Sequence, residues 1–211
     1  MRPDSVERIA ETGVIAILRG VSVEDAPDVA AAVTEGGVAA LEITADTPNV
    51  TAAIEAVADR VDAAVGVGTV LDAETARAAQ LAGAEFVVTP TVNRAVIRTA
   101  NRYGTPIAAG AYTPTEALDA FEAGADFVKV FPAKTGGPAH VAALGGPLSQ
   151  IPLVPTGGVS ADNAGAYVEA GAAAVGVGSA IVDHDAVGAG EYDRIAADAR
   201  AVVEAVATAR E

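Results

Sequence analysis

The sequence contains no cysteine, which excludes disulfide bonds, thiolate metal ligands and thiol nucleophiles. Its two histidines, His140 and His184, lack the spacing of a metal-binding motif such as His-Glu-x-x-His, and we interpret both as surface or structural residues. No run approaches the roughly 18 consecutive apolar residues of a membrane-spanning helix. The sequence therefore predicts neither a bound metal nor a membrane span.

Positive charge is also scarce, with 13 basic residues against 28 acidic ones and a formal net charge of −15. A nucleic-acid-binding surface should be basic, so a nucleic-acid partner is excluded. Strong negative charge favours solubility, and we interpret it as an adaptation to a high-salt cytosol. Residues 1–13 combine acids and arginines and lack the apolar core of a signal peptide. We expect an amphipathic helix there and a cytoplasmic protein.

Only two lysines occur, Lys129 and Lys134, and Lys129 lies in the middle of the apolar run Phe127-Val128-Lys129-Val130-Phe131. Burial among Val and Phe side chains disfavours the charged form of an amine. A neutral amine can attack a carbonyl group and form a Schiff base. The alternative is a structural lysine that pairs with a carboxylate or extends to the surface.

Short apolar runs alternate with segments of helical pattern along the whole chain, as is typical of strands buried on both faces. The predicted strands are Val14–Leu18, Ala39–Thr44, Ala63–Val67, Phe86–Thr89, Ile107–Ala109, Phe127–Phe131, Leu153–Thr156 and Ala174–Val177. The predicted helices are Val23–Glu35, Val50–Arg60, Asp72–Ala82, Arg94–Tyr103, Pro114–Ala123, Gly137–Leu144, Ala161–Ala170 and Glu191–Arg210.

Eight strand–helix units after an N-terminal helix predict an α/β fold, a single-domain (β/α)8 TIM barrel over residues 1–211. A doubly wound sheet is the alternative, but the first strand lacks the Gly-x-Gly-x-x-Gly turn of that fold. Local signals support the helix boundaries. Glycines suited to helix C-termini are Gly37, Gly83, Gly124 and Gly171, and plausible N-caps are Ser22, Asp72, Thr113 and Ser160.

Barrel enzymes carry their active sites at the C-terminal ends of the strands, which places Lys129 near Glu42 of the second strand. Burial favours the protonated form of a carboxyl group and suits it to proton transfer near neutral pH. A buried lysine and a buried glutamate suit carbon–carbon bond chemistry, in which the lysine forms an imine and the carboxylate moves protons. The alternative is that Glu42 simply pairs with Lys129 or Arg19.

The loops after the last two strands are rich in glycine, in the stretches 156–160 and 176–179. Such loops in barrels commonly bind phosphate through backbone N–H groups, and ordinary tight turns are the alternative. Thr69 and Thr156 are candidate hydroxyl donors to substrate oxygens, or else caps and turn residues. Arg19 could fork onto a carboxylate or phosphate, or pair with Glu42 or Asp46.

The stretch from Gly124 through Lys129, Phe131, Pro132 and Ala133 to Gly137 resembles the Schiff-base lysine signature of the 2-keto-3-deoxy-6-phosphogluconate (KDPG) and 4-hydroxy-2-oxoglutarate (KHG) aldolase family. Glu42-Ile43-Thr44 resembles that family's catalytic-glutamate signature. Further matches in order and spacing are Gly68-Thr69-Val70, Thr89-Pro90, Thr156-Gly157-Gly158-Val159 and Gly178-Ser179.

The resemblance implies a class I aldolase without metal or cofactor, usually a homotrimer, that cleaves a phosphorylated 2-keto-3-deoxy sugar acid to pyruvate and glyceraldehyde 3-phosphate. It assigns the Schiff base to Lys129 and general acid/base chemistry to Glu42. The implied substrate-binding residues are Thr69 and Pro90 at the pyruvate end, Thr156, Gly157, Gly158 and Ser179 toward the phosphate, and Arg19 after the first strand.

Asp46 departs from the family pattern, which usually has an arginine at this position to hold the substrate carboxylate. Carboxylate binding must then fall to Arg19, Thr69 and backbone amides, or the substrate differs. In another alternative, Asp46 bonds a sugar hydroxyl and shifts the preference to the galactonate epimer, and 4-hydroxy-2-oxoglutarate is a further alternative substrate. More distant alternatives are a sugar-phosphate isomerase or epimerase without an imine, and a non-catalytic phosphometabolite-binding barrel.

Overall fold

The computed structural model describes residues 4–211, so the first three residues of the predicted N-terminal helix lie outside the described residues. Eight parallel strands form one sheet in the order β7-β6-β5-β4-β3-β2-β1-β8. A bridge between Thr156 and Gly176 joins the two outermost strands, which closes the barrel. The strands are β1 Val14–Leu18, β2 Ala40–Thr44, β3 Ala64–Gly68, β4 Phe86–Val88, β5 Ile107–Ala111, β6 Phe127–Val130, β7 Leu153–Pro155 and β8 Val175–Val177.

Helices alternate with these strands and pack on the outside of the barrel, as predicted for a (β/α)8 fold. They are α1 Asp4–Thr12, α2 Ala26–Glu35, α3 Val50–Ala58, α4 Ala73–Leu81, α5 Arg94–Arg102, α6 Pro114–Glu122, α7 Gly137–Gly145, α8 Ala161–Glu169, α9 His184–Ala189 and α10 Tyr192–Thr208. A 3-10 turn spans Ala133–Thr135.

The predicted boundaries agree with the structure to within about two residues for every strand, but α2 differs. It begins at Ala26 instead of Val23, and its N-cap is Asp25 instead of Ser22. The Ser22 hydroxyl donates a 2.7 Å hydrogen bond to the Asp25 carboxylate, which forms a separate turn before the helix. The helix α9 was not predicted. The other expected N-caps are present, at Asp72, Thr113 and Ser160.

A second cluster of buried apolar side chains, separate from the main core, lies inside the barrel, and we call this set the lower cluster. Val6 and Ile9 of α1 belong to it, so the N-terminal helix covers the barrel at the amino ends of the strands. Its other members are Ile15, Ala40, Ala64, Phe86, Val88, Ala108, Phe127, Val154 and Ala174.

The register of the strands sets what lies above the lower cluster. Side chains two residues apart on a strand face the same side of a sheet. Glu42 and Lys129 follow Ala40 and Phe127 by two residues, so they enter the interior one step closer to the carboxyl ends of the strands. There Gly66 is the register partner of Glu42, and Gly110 is that of Lys129.

Candidate active site

Glu42 and Lys129 meet at the centre of the barrel, as the sequence predicts. Lys129 Nζ lies 3.7 Å from Glu42 Oε1, and the two side chains are only 5% and 2% exposed. Within residues 4–211, Glu42 Oε1 has no hydrogen-bond partner. A buried polar atom without a partner is costly, unless a ligand supplies the missing bond. This oxygen is therefore available to a proton of a bound substrate.

Two glycines make room for this pair. A side chain at Gly68 would overlap the Glu42 carboxylate, because Gly68 lies directly against it. A side chain at Gly110, the register partner of Lys129, would overlap the backbone of Pro90. Pro90 is thereby held against the strand beside Lys129, although it does not line the cavity described next. Glycine on these strands reflects close approach by a neighbouring group.

A cavity of about 230 Å³ opens above Lys129 toward the carboxyl ends of the strands. It brings together Lys129 and five of the seven predicted substrate-binding residues, without Thr69 and Pro90. Its lining consists of Ile17, Arg19, Lys129, Phe131, Thr156, Gly157, Gly158, Val159, Gly178, Ser179, Val182 and His184.

The loop after β7 forms one wall of the cavity. Gly157 and Gly158 have φ angles of +93° and +82°, a region that side chains other than glycine rarely adopt. The Phe131 ring packs 3.2 Å from the position a Gly157 Cβ would take, and its centroid lies 5.5 Å from Lys129 Nζ. On the neighbouring strand, Gly176 leaves the space that the Thr156 side chain fills. The glycines thus bring backbone and aromatic surface close to the lysine.

Arg19 is held by partners on the opposite side of the mouth. Its Nη1 donates to Asp46 Oδ2 at 2.6 Å, and its Nη2 donates to Thr69 Oγ1 at 2.9 Å. Partial burial acts to raise the pKa of Asp46, but the Thr44 hydroxyl and the Arg19 guanidinium outweigh it and lower that pKa below its ordinary value. The residue that departs from the family pattern is therefore the ion-pair partner of Arg19.

Thr69 and Asp46 do not line the cavity; they line a neighbouring depression with Leu71, Asp72 and Thr75. Thr69 has a φ of +56°, which a β-branched residue seldom adopts. Its hydroxyl is thereby directed at Arg19. Thr69 thus meets the cavity through Arg19 and not directly.

His184 is exposed, in agreement with its interpretation as a surface residue. It stands at the first position of α9 and also lines the cavity, a position that the sequence analysis did not predict. A usable signal was its position five residues after Ser179, because barrels often place a short extra helix beside the phosphate loops. His140 lies outside the cavity: its ring stacks on Tyr112 at 4.4 Å, and its Nε2 lies 2.8 Å from the Tyr112 carbonyl oxygen.

Among residues 4–211, no three His, Asp or Glu side chains are grouped as a metal site. Within the same residues, no helix combines the length and apolarity needed to cross a membrane.

The family model described as "KDPG and KHG aldolase" matches residues 6–197. The chain belongs to the KDPG and KHG aldolase family. It is therefore an aldolase, of the lyase class. It is 38% identical over 195 residues to the 2-dehydro-3-deoxy-6-phosphogalactonate aldolase of Escherichia coli K12, covering 90% of this chain and 93% of that protein. It is 36% identical to the KHG/KDPG aldolase of the same organism, covering 95% of each chain.

Solved structures of this family share the fold closely. A native KDPGal structure superposes with a TM-score of 0.88 at 36% identity and covers 93% of this chain and 95% of its own. The KDPG aldolase of Legionella pneumophila superposes with a TM-score of 0.84 at 29% identity, covering 92% and 96%. That structure contains pyruvate captured as a covalent carbinolamine intermediate.

Proposed function

We propose that this protein is a class I aldolase in which Lys129 forms a Schiff base with a phosphorylated 2-keto-3-deoxy sugar acid. The observation that carries the proposal is the buried Lys129–Glu42 pair at 3.7 Å, in which Glu42 Oε1 has no hydrogen-bond partner among residues 4–211 and a cavity opens above the pair. A buried amine supplies the nucleophile and a buried carboxyl group supplies proton transfer.

Catalysis begins when the neutral Lys129 amine attacks the C2 ketone. The C2 oxygen takes up a proton from Glu42 and forms the hydroxyl group of a carbinolamine, and the resulting Glu42 carboxylate accepts a proton from the amine nitrogen. Glu42 then donates this proton to the hydroxyl group, which leaves as water and gives a cationic imine, and Glu42 remains as a carboxylate. The positive nitrogen is the electron sink that the next step requires.

Cleavage then breaks the C3–C4 bond. The Glu42 carboxylate removes the proton of the C4 hydroxyl, the C4–O bond becomes the carbonyl of the departing aldehyde, and the C3–C4 electron pair moves toward the imine to give an enamine. Glu42 returns a proton to C3, and water hydrolyses the resulting pyruvate imine. The partnerless Oε1 of Glu42 is the atom to which we assign these transfers.

The cavity provides surfaces for the rest of the substrate. In the proposal, Phe131 flanks the imine, and Thr156, Gly157, Gly158 and Ser179 extend along the substrate to its phosphate. Glycine-rich backbone suits an anion because its N–H groups can approach closely.

The pyruvate end is assigned to the other side of the mouth. In the proposal, Arg19 binds the carboxylate there, Thr69 positions Arg19 through its hydroxyl group, and Pro90 packs against Gly110 behind the cavity. Arg19 uses one N–H for Asp46 and one for Thr69, which leaves further guanidinium donors for the carboxylate.

The leading substrate is 2-keto-3-deoxy-6-phosphogluconate, cleaved to pyruvate and glyceraldehyde 3-phosphate. Two observations favour the galactonate epimer as a second candidate: the 38% identity to a phosphogalactonate aldolase and the carboxylate of Asp46 at the mouth. We further propose a single-domain, cytoplasmic homotrimer without a cofactor. The acidic composition favours a salt-rich setting.

Borohydride trapping tests the chemistry. Incubating the protein with pyruvate and borohydride should reduce the imine to a stable amine and add one fixed mass at Lys129, located by peptide mass spectrometry. Lys129→Met should give no adduct and no measurable cleavage of the phosphorylated substrates. Lys134→Met, which changes the only other lysine, should keep the adduct.

An absent adduct in the wild-type protein at every pH tested would refute the Schiff base and favour an isomerase or epimerase that uses Glu42 as a base. Ligand-induced stabilisation without product would instead favour a binding protein. Cleavage rates on both phosphorylated epimers and on 4-hydroxy-2-oxoglutarate then identify the preferred substrate.

A further inference from the structure

The ionisable residues that line the cavity are of the opposite type to those that dominate the chain. The protein carries a formal net charge of −15, yet the ionisable side chains that line the cavity are all basic: Arg19, Lys129 and His184. Among residues 4–211, no carboxylate lines it, because Glu42 lies buried beneath Lys129. An acidic surface repels anions, so an anionic ligand has to be held by these local charges.

Two of these three basic residues already have acidic partners. Lys129 lies beside Glu42 at the floor, and Arg19 pairs with Asp46 at 2.6 Å on one side of the mouth. A paired cation retains less attraction for a second anion, because its charge is partly compensated. Of the three basic residues that line the cavity, His184 alone has no acidic partner at salt-bridge distance in the described residues.

His184 is positioned by its surroundings to face a ligand. Its ring lies against the backbone of Gly20, 3.4 Å from the position a Cβ would take there. The preceding residue, Asp183, accepts hydrogen bonds from the backbone N–H groups of Asp185 and Ala186 and pairs with Arg194 at 3.1 Å. Asp183 therefore caps the helix and pairs with Arg194, and among the described residues it forms no salt bridge with the adjacent His184.

The cavity also fixes the direction of the substrate. Lys129 marks the keto end at the floor, and the glycine-rich loops after β7 and β8 share the lining with His184. The exposed Lys134 extends its side-chain stem along Gly158 but does not line the cavity. Two basic residues, His184 and Lys134, thus flank these loops; both are exposed, and of the two only His184 lines the cavity.

We infer that His184 binds the terminal phosphate of the substrate and sets the preference for phosphorylated over unphosphorylated sugar acids. This inference rests on the proposed function, because it takes the imine at Lys129 as the other end of the substrate. An imidazolium donates charge-assisted hydrogen bonds to phosphate oxygens, which are stronger than neutral ones. The phosphate is remote from the reacting bond. A contact with it lowers KM and leaves kcat unchanged when it stabilises the ground state and the transition state equally.

Paired substrates test the inference. His184→Gln should lower kcat/KM by about tenfold for the phosphorylated substrate, mainly through KM, and change it by less than about twofold for the unphosphorylated analogue. His184→Lys should recover most of the loss, because it restores a cation at the same place. His140→Gln is the matched control, since His140 stacks on Tyr112 outside the cavity. It should change kcat/KM for neither the phosphorylated substrate nor the unphosphorylated analogue.

Equal losses on both substrates would overturn the inference and show a structural role for His184. A phosphate-specific loss in Lys134→Gln, with none in His184→Gln, would overturn it as well. Should the wild type form no pyruvate adduct, the proposed function fails, and a thermal shift still decides the role of His184. Inorganic phosphate should then raise the Tm of the wild type more than that of His184→Gln.

Discussion

The two ends of the barrel interior share strands but differ in chemistry. At the lower end Ala40 and Phe127 pack in the apolar lower cluster under α1. Two residues further along the same strands, Glu42 and Lys129 place a carboxylate and an amine 3.7 Å apart. Hydrophobic burial at the lower end stabilises the fold. The other end can therefore hold a buried polar pair that is costly to bury, because the fold does not depend on that pair for its stability.

At both ends of the interior, a glycine of β3 makes room for a bulky side chain of a neighbouring strand. A side chain at Gly66 would overlap the Phe86 ring of the lower cluster, and a side chain at Gly68 would overlap the Glu42 carboxylate. The barrel is narrow, so a bulky inward residue needs a glycine opposite it. A side chain added at one of these glycines should therefore affect stability at the lower end and turnover at the upper end.

Phe127→Ala should have the largest effect on stability. Removing a buried aromatic ring from the lower cluster leaves a cavity and should lower the free energy of unfolding by about 3–5 kcal/mol. The pyruvate adduct at Lys129 should still form in the folded protein. Urea denaturation measures the first quantity, and borohydride trapping measures the second.

Lys129→Met is the matched change at the upper end of the same strand. It should abolish turnover yet leave cooperative unfolding, because Met fills similar volume with apolar atoms. A stability loss as large as that of Phe127→Ala would contradict the division between the two ends.

Gly68→Ala should reduce turnover by about 100-fold or more, because a displacement of about 1 Å costs that much for a carboxylate with the catalytic role we propose for Glu42. The reason is the overlap between the added methyl group and Glu42. Steady-state cleavage of the phosphorylated substrates measures the loss.

Gly66→Ala is its control on the same strand, where the methyl group meets the Phe86 ring. It should cost about 1–3 kcal/mol of stability through overpacking and preserve kcat in the folded protein. If both variants lost turnover equally, the position-specific explanation would be wrong.

The fold was predictable because buried parallel strands read as continuous apolar runs and helix ends carry local signals. The expected left-handed glycines illustrate this, with φ angles of +94°, +102°, +99° and +95° at Gly37, Gly83, Gly124 and Gly171. A short helix and the start of another helix were not predicted. The six-residue helix α9 has too few residues to show apolar periodicity, and α2 starts late because Ser22 and Asp25 bond to each other.

The proximity of Glu42 and Lys129 followed from one rule, that strand ends converge at one face of a barrel. Side chains on loops follow no such rule. Arg19 had several possible acidic partners, and only the path of the loops shows that Asp46 is the one it contacts. His184 likewise depends on how the chain turns after β8. Loop geometry is set by tertiary packing, which the sequence pattern does not record.

Asp46→Asn should have the smallest effect. Both partners of the Arg19–Asp46 pair are about half exposed, so solvent screens their attraction and the free energy of unfolding should fall by less than about 1 kcal/mol at neutral pH. The change should also release Arg19 toward the substrate carboxylate and lower KM. Urea denaturation and steady-state kinetics measure the two effects.

The pH dependence of this difference in unfolding free energy tests whether it arises from the charge of Asp46. Burial acts to raise the pKa of Asp46, but Thr44 and Arg19 prevail and hold it below the ordinary value of 3.8. A carboxyl group with a lowered folded-state pKa stabilises the protein above its unfolded-state pKa and loses that contribution as the pH falls through the folded-state value. The stability gap between wild type and Asp46→Asn should therefore be constant near neutrality and shrink in acid below about pH 4. A gap that widens on acidification would show that Asp46 does not act through its charge on Arg19.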